Sequence, residues 1–424
     1  MGASRSAGGT SPLAAMAIIG GMFFIFGFVT FLNGPLITFV KLAFRVNDAL
    51  AFLVPFAFYI SYFVFSLPAA SVLKRTGMKR GMALGLGVMA LGAACFGQFA
   101  TMRIFPGAIT GLFVIGAGLS ILQTASNPYV SIMGPIGSAA QRIAFMGICN
   151  KGAGILAPLL FSILVMQGIG QFADRIAAAH DPVAKVALLN SFAAKIHDPY
   201  MMMAGLLALL AVLVVLSPLP DIGDEANETP AHDDAARSLF SYPQLWFGFV
   251  CLFFYVGVEV MAADAIGTYG NGFGLPLDQT KFFTAFTMAG MLAGYVAGLV
   301  LTPRFVAQET YLSFSAILAI ALSLGAFLTK GYLSVGLVAG LGFANAMMFP
   351  AIFPLGIQGL GRHTETGSAI MVMGIAGGAV LPQLFAHLKD AVGFQTMFAC
   401  LMVPAYAYIL FFGLFAGRRK SLQA

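Results

Sequence analysis

Residues 13–40 read Leu-Ala-Ala-Met-Ala-Ile-Ile-Gly-Gly-Met-Phe-Phe-Ile-Phe-Gly-Phe-Val-Thr-Phe-Leu-Asn-Gly-Pro-Leu-Ile-Thr-Phe-Val, 28 positions without a charge. A helix needs about 20 predominantly apolar residues to cross about 30 Å of hydrocarbon, so this stretch can span a bilayer. Arg5 precedes it, and it lacks a small-residue cleavage site. It is also too long for the apolar core of a signal peptide, and is expected to stay in place as a first span.

Outward from that run the pattern recurs. Apolar runs between charged or Pro/Gly breaks number twelve, at 13–40, 48–73, 81–101, 106–134, 139–168, 198–217, 243–271, 279–302, 307–328, 331–358, 364–388 and 392–415. Composition agrees: of 424 residues 59% are hydrophobic and 9% charged. Ordinary soluble domains carry about 25% charged residues, and a water-facing surface cannot be built from so few. The expectation is an all-α membrane protein of twelve transmembrane helices.

The net charge of +6 reports orientation before it reports an acidic partner, so nucleic acid binding is not implied. An even number of spans puts both termini on one side. Lys74, Arg75, Lys79 and Arg80 lie between spans 2 and 3, and Arg418, Arg419 and Lys420 follow span 12. Counted alternately, 12 Lys/Arg fall on that side and 9 on the other, three of the nine in the long segment 169–197. Both termini are therefore expected to be cytoplasmic. Cys95, Cys149, Cys251 and Cys400 sit inside apolar runs without ligand spacing, which speaks against disulfides and zinc. No H-E-x-x-H, G-x-S-x-G or Ser/His/Asp layout is present, so an enzyme is not expected.

The acidic, Pro-containing stretch from Asp221 to Asp234 divides the chain into residues 1–217, a cytoplasmic tether at 218–242, and residues 243–424. The two parts resemble each other. Phe23-Phe24-x-x-Gly27 in span 1 recurs as Phe253-Phe254-x-x-Gly257 in span 7. Met146-Gly147-Ile148 in span 5 recurs as Met373-Gly374-Ile375 in span 11, followed by Pro158-Leu-Leu-Phe161 and Pro382-Gln-Leu-Phe385. Matches between spans six apart in the same orientation indicate a parallel six-plus-six duplication, with a solute site between the halves near the midplane.

Three charges fall within spans: Lys151 in span 5, and Glu259 and Asp264 in span 7. Each costs roughly 2.5–3.5 kcal/mol at a helix centre on insertion scales. Two carboxylates and one ammonium leave one surplus negative charge, which a proton or Na⁺ can cancel. Asp264 and Glu259 are thus the candidates for coupling a cation, with Lys151 as charge partner. The alternative is a fixed salt bridge from Lys151 to one acid, the other being protonated. Five residues apart, the acids stand about 140° apart around a continuous helix. Asn33, Gln123, Asn127, Asn150, Thr268, Asn271, Asn345 and Gln383 add amide and hydroxyl groups suited to a polyhydroxylated ligand, although interhelical hydrogen bonding competes at each position. Gly85, Gly87 and Gly92, like Gly290, Gly294 and Gly298, read as close helix contacts rather than a phosphate loop.

Three segments carry a resemblance: Phe23 through Gly34, Leu122-Gln123-Thr124-Ala125-Ser126-Asn127-Pro128-Tyr129, and Tyr255-Val-Gly-Val-Glu259-Val. They resemble the fucose–galactose–glucose:proton symporter family across most of spans 1 to 11, which implies a major facilitator fold and a sugar cargo moved with a proton. The family's fucose permeases have an Asp after the span 1 Asn and a Glu before T-A-x-N-P. Here those positions are Gly34 and Gln123, so these carboxylates do not carry over; the repeat puts Asp264 at the position symmetric with Gly34. The gating-loop likeness at 74–80 has Lys74 where most members have Asp.

Asn33-Gly34, Met146 through Gly154 and Glu259-Val-x-Ala-x-Asp264 are similar to bacterial N-acetylglucosamine permeases of the family. The resemblance therefore implies N-acetylglucosamine first, glucose or galactose next, in a monomeric inner-membrane importer with no cofactor beyond co-transported H⁺ or Na⁺. A drug exporter and a non-transporting sugar sensor are the readings from other classes.

Overall fold

The computed structural model describes residues 12–132, 139–217, 238–302 and 305–423, without the side chains of residues 12–15, 127–128, 131–132, 139–144, 362, 365 and 420–423. Residues 218–237, most of the expected tether, lie outside the described residues, as does the side chain of Asn127. All regular structure among the described residues is helical.

Ten helices are long and apolar enough to cross a membrane, and the pair Gly331–Asn345 and Met348–Ile357, bent by 40°, forms one more as a broken span. The remaining one is hidden in the helix Leu53–Thr101, whose Gly77 has φ 74° and ψ 166°. That left-handed conformation is open to glycine at little cost and turns the chain back between spans 2 and 3. Twelve spans result. Span 1 is Pro12–Thr30 with Asn33–Phe44; spans 2 and 3 flank Gly77; span 4 is Phe105–Ile132, span 5 Ala139–Leu164 and span 6 His197–Leu216. Span 7 is Pro243–Ala263 with Ile266–Asn271, span 8 Phe283–Leu301, span 9 Gln308–Leu328 and span 10 the bent pair. Span 11 is Thr364–Met373 with Gly377–Val392, and span 12 is Phe394–Gln423.

Packing repeats with the expected offset of six. Span 1 packs on span 5 as span 7 packs on span 11; span 3 packs on spans 4 and 6 as span 9 packs on spans 10 and 12. At the first of these pairs the backbones nearly touch. A side chain at Gly27 would collide with the Asn150 carbonyl, and one at Gly377 with the Phe253 carbonyl. Gly85 and Gly92 meet span 4, and Gly294 and Gly298 meet span 10, as small residues at close crossings do; Gly87 faces open space. The two six-span bundles approach each other along spans 2 and 11 and, symmetrically, along spans 5 and 8.

Spans 1, 7 and 10, read as continuous in the sequence, are broken, while in span 11 a 3-10 turn at Gly374–Ala376 joins the two pieces. In span 1, Pro35 has no N–H to give the Phe31 carbonyl, and the helix stops at Thr30 and resumes at Asn33. Pro350 does the same to the carbonyl of Ala346 in span 10. Span 7 breaks at Asp264–Ala265 without a proline. Its loose carbonyls at Ala262 and Ala263 accept hydrogen bonds from Thr287 Oγ1 (2.9 Å) and Thr284 Oγ1 (2.8 Å) of span 8. The segment 169–197 is also more than a loop: it forms helices Ile169–Ala178 and Pro182–Ala194, joined by the stacked rings of Phe172 and Phe192.

At the face remote from the chain termini the halves are tied together. Lys281 Nζ donates to the Met166 carbonyl (3.1 Å), Ser162 Oγ to the Lys281 carbonyl (2.8 Å) and Gly170 N–H to Asp278 Oδ2 (3.2 Å). On the opposite flank Lys389 pairs with Asp48 (2.7 Å), and Gln383 Nε2 donates to the Ala49 carbonyl (2.9 Å). Lys281 thus meets a carbonyl just past the end of span 5, and Asp278 meets the first turn of the next helix, each the sign that the helix dipole favours.

Candidate functional site

The three charges placed within spans meet at the junction of the two halves and separate there into two environments. Lys151 Nζ of span 5 donates to Glu259 Oε1 of span 7 at 2.7 Å, with both side chains about nine-tenths buried (9% and 12% exposed). The Phe31 ring lies 4.6 Å from the ammonium and the Tyr295 ring 6.0 Å. This is a charge-assisted bond in a weakly screening environment, with aromatic faces covering the cation.

Asp264 stands at the break of span 7, 2% exposed, and neither carboxylate oxygen has a hydrogen-bond partner among the described residues. The break in span 1 faces it. A Cβ at Gly34 would stand 3.3 Å from Asp264 Cα and would collide with Thr284 Oγ1, so the pair symmetric in sequence is also adjacent in space. The Gly34 N–H points toward the carboxylate without reaching hydrogen-bond geometry. Asn33, 1% exposed, has an Nδ2 without a partner among the described residues, and Tyr59 of span 2 faces both Asn33 and Asp264. An unpaired buried carboxylate is expensive unless it is neutralised. Proton uptake by Asp264 is therefore the simplest chemistry this arrangement can perform. A hard metal cation takes several oxygen ligands. The two carbonyls freed by the break already accept hydrogen bonds from threonine hydroxyls, and the Gly34 N–H turned toward Asp264 can only donate.

The remaining sequence candidates divide by partner. Asn345, fully buried at the bend of span 10, accepts from Tyr406 Oη (2.9 Å), and its own Nδ2 has no partner among the described residues. Gln123 Nε2 donates to Tyr62 Oη (3.2 Å). Asn150 Nδ2 donates to the Phe23 carbonyl (3.2 Å), which fastens span 5 to span 1. Asn271 accepts from Thr280 Oγ1 (2.9 Å) beyond the site, Thr268 is half-buried on the same short helix, and Gln383 belongs to the tied face.

Sequence reasoning passed over Phe31, Tyr59, Tyr255, Tyr295, Thr284 and Thr287. Tyr255 alone had a local signal, since it precedes Glu259 by four residues and so shares its helix face.

The sequence matches the family described as Major Facilitator Superfamily over residues 19–382. A protein named glucose/galactose transporter from Brucella abortus is 33% identical over 404 residues, covering 94% of this chain and 92% of that protein. An L-fucose-proton symporter from Escherichia coli K12 is 29% identical over 415 residues, with 95% and 92% covered. Among solved structures, the transporter FucP in its outward conformation superposes with a TM-score of 0.76 at 26% identity, with 96% of this chain and 99% of that one covered.

Proposed function

The chain belongs to the Major Facilitator Superfamily, and from that premise we propose that it imports a hexose together with a proton by alternating access. It is a transporter rather than an enzyme and uses no resident cofactor. In this reading it works as a monomer in the bacterial inner membrane with both termini in the cytoplasm, so the tied face is periplasmic and the structure is shut to the outside.

The single observation that carries the reading is Asp264: buried, unpartnered, and held where the breaks of spans 1 and 7 face each other. A proton restores neutrality there in one state and leaves in another. Glu259 is neutralised by Lys151 and is not free for the same role. Asn33 adjoins Asp264, which lets occupancy by sugar hydroxyls and by the proton influence each other. Gln123 and Asn345 are the further amides proposed to face the cargo, while Asn150, Asn271, Thr268 and Gln383 serve the scaffold and the tied face.

The names of the relatives favour glucose and galactose as cargo, with L-fucose the neighbouring chemistry. N-acetylglucosamine, expected from the pattern around Lys151 and Asp264, draws no support from those names. The test is uptake of labelled glucose into proteoliposomes under an imposed proton gradient, with and without sodium and with unlabelled galactose, fucose or N-acetylglucosamine as competitors. Sodium-independent accumulation, blocked by galactose and abolished by a protonophore, is the expected result. Accumulation that requires sodium would overturn the proton assignment.

A further inference from the structure

The Lys151–Glu259 bond joins the two halves at mid-span, since span 5 moves with one bundle and span 7 with the other. Where rocking of the bundles parts them, each parted charge would be stranded in a medium where an unpaired ion is costly. Among the described residues each charge has a replacement partner within its own half. For Lys151 it is Phe31 of span 1, whose ring already lies 4.6 Å from the ammonium. For Glu259 it is Tyr255, four residues earlier on the same helix face. Tyr255 is fully buried, and its hydroxyl, without a hydrogen-bond partner among the described residues, faces Glu259 without reaching bonding geometry.

A buried, unsatisfied phenol forfeits about 1–3 kcal/mol, so its presence in a packed interior asks for a reason. We propose that Lys151–Glu259 is a breakable latch between the halves. It is made when the face remote from the termini is shut, and Tyr255 and Phe31 are positioning residues that receive Glu259 and Lys151 when it opens. The inference rests on alternating access, not on the identity of the cargo.

The test needs no sugar. Val183, 76% exposed, and Lys330, also exposed, lie on opposite halves at the tied face. Cysteines at these two positions, in the full chain with its four native cysteines replaced by serine, carry a fluorophore pair for single-molecule energy transfer in liposomes. Tyr255→Phe keeps the ring and removes the donor. It is expected to lower the open fraction about tenfold, the worth of one hydrogen bond to a charged group, while changing it less than about twofold in a Glu259→Gln background. Phe31→Leu, which keeps an apolar filler, is expected to lower the open fraction about threefold, because the ring holds the ammonium more strongly once Glu259 no longer neutralises it. It supplies a second reading if Tyr255→Phe folds poorly. An open fraction unchanged by both variants would overturn the latch, as would an equal loss from Tyr255→Phe with and without Glu259→Gln. Failure of glucose transport would leave this measurement intact.

Discussion

Two carboxylates five residues apart on span 7 have opposite fates. Glu259 sits within continuous helix and is matched across the interface by Lys151 at 2.7 Å; Asp264 sits at the break and has no hydrogen-bond partner among the described residues. The difference comes from backbone geometry rather than from side-chain chemistry. The break turns Asp264 toward the facing break of span 1, where glycine at position 34 leaves only backbone to meet it. A charge matched across the interface can join the halves, whereas a charge left without a pair can take up a proton.

That contrast can be broken at several points. The largest effect on stability is expected from Lys151→Ala, which strands Glu259 and should cost about 3 kcal/mol, seen as a marked fall in thermal unfolding temperature in detergent. A loss under about 1 kcal/mol would mean that the pair is not the anchor of Glu259. Gly34→Ala should come next, at about 1–3 kcal/mol, because the new methyl must displace Thr284 from the Ala263 carbonyl and crowd Asp264. Unaltered stability with unaltered uptake would show that the facing breaks have room to spare. Thr284→Val removes one cap from the break of span 7 and should cost about 1 kcal/mol, again read from thermal unfolding. Asp264→Asn loses no hydrogen-bond partner and should leave the unfolding temperature nearly unchanged; a drop as large as that of Lys151→Ala would mean that Asp264 is a structural ion after all.

Much of this architecture was readable in the residues. The twelve apolar runs and the Phe-Phe-x-x-Gly repeat anticipate the two bundles; the salt bridge from Lys151 to one acid is the alternative reading of the three charges, and it is Glu259 that takes it, which leaves Asp264 without a hydrogen-bond partner among the described residues. The break in span 1 could have been inferred from Pro35, since a missing N–H is a local property of the chain. The break in span 7 could not, because its carbonyls are capped by Thr284 and Thr287, which reach them only after span 8 has folded back. Nor could composition decide which acid takes Lys151, a contact spanning 108 positions of sequence. The polar residues misled for a related reason: an amide serves equally as cargo contact, as the Asn150–Phe23 fastening or as the Gln383–Ala49 tie, and only the neighbour decides.

The most direct measurement is transport by Asp264→Asn in proteoliposomes, with gradient-driven glucose accumulation and gradient-free counterflow read side by side. Loss of accumulation by at least about a hundredfold, with counterflow within a fewfold of the unaltered protein, is the predicted outcome. Accumulation that persists at the unaltered level would show that the proton rides elsewhere.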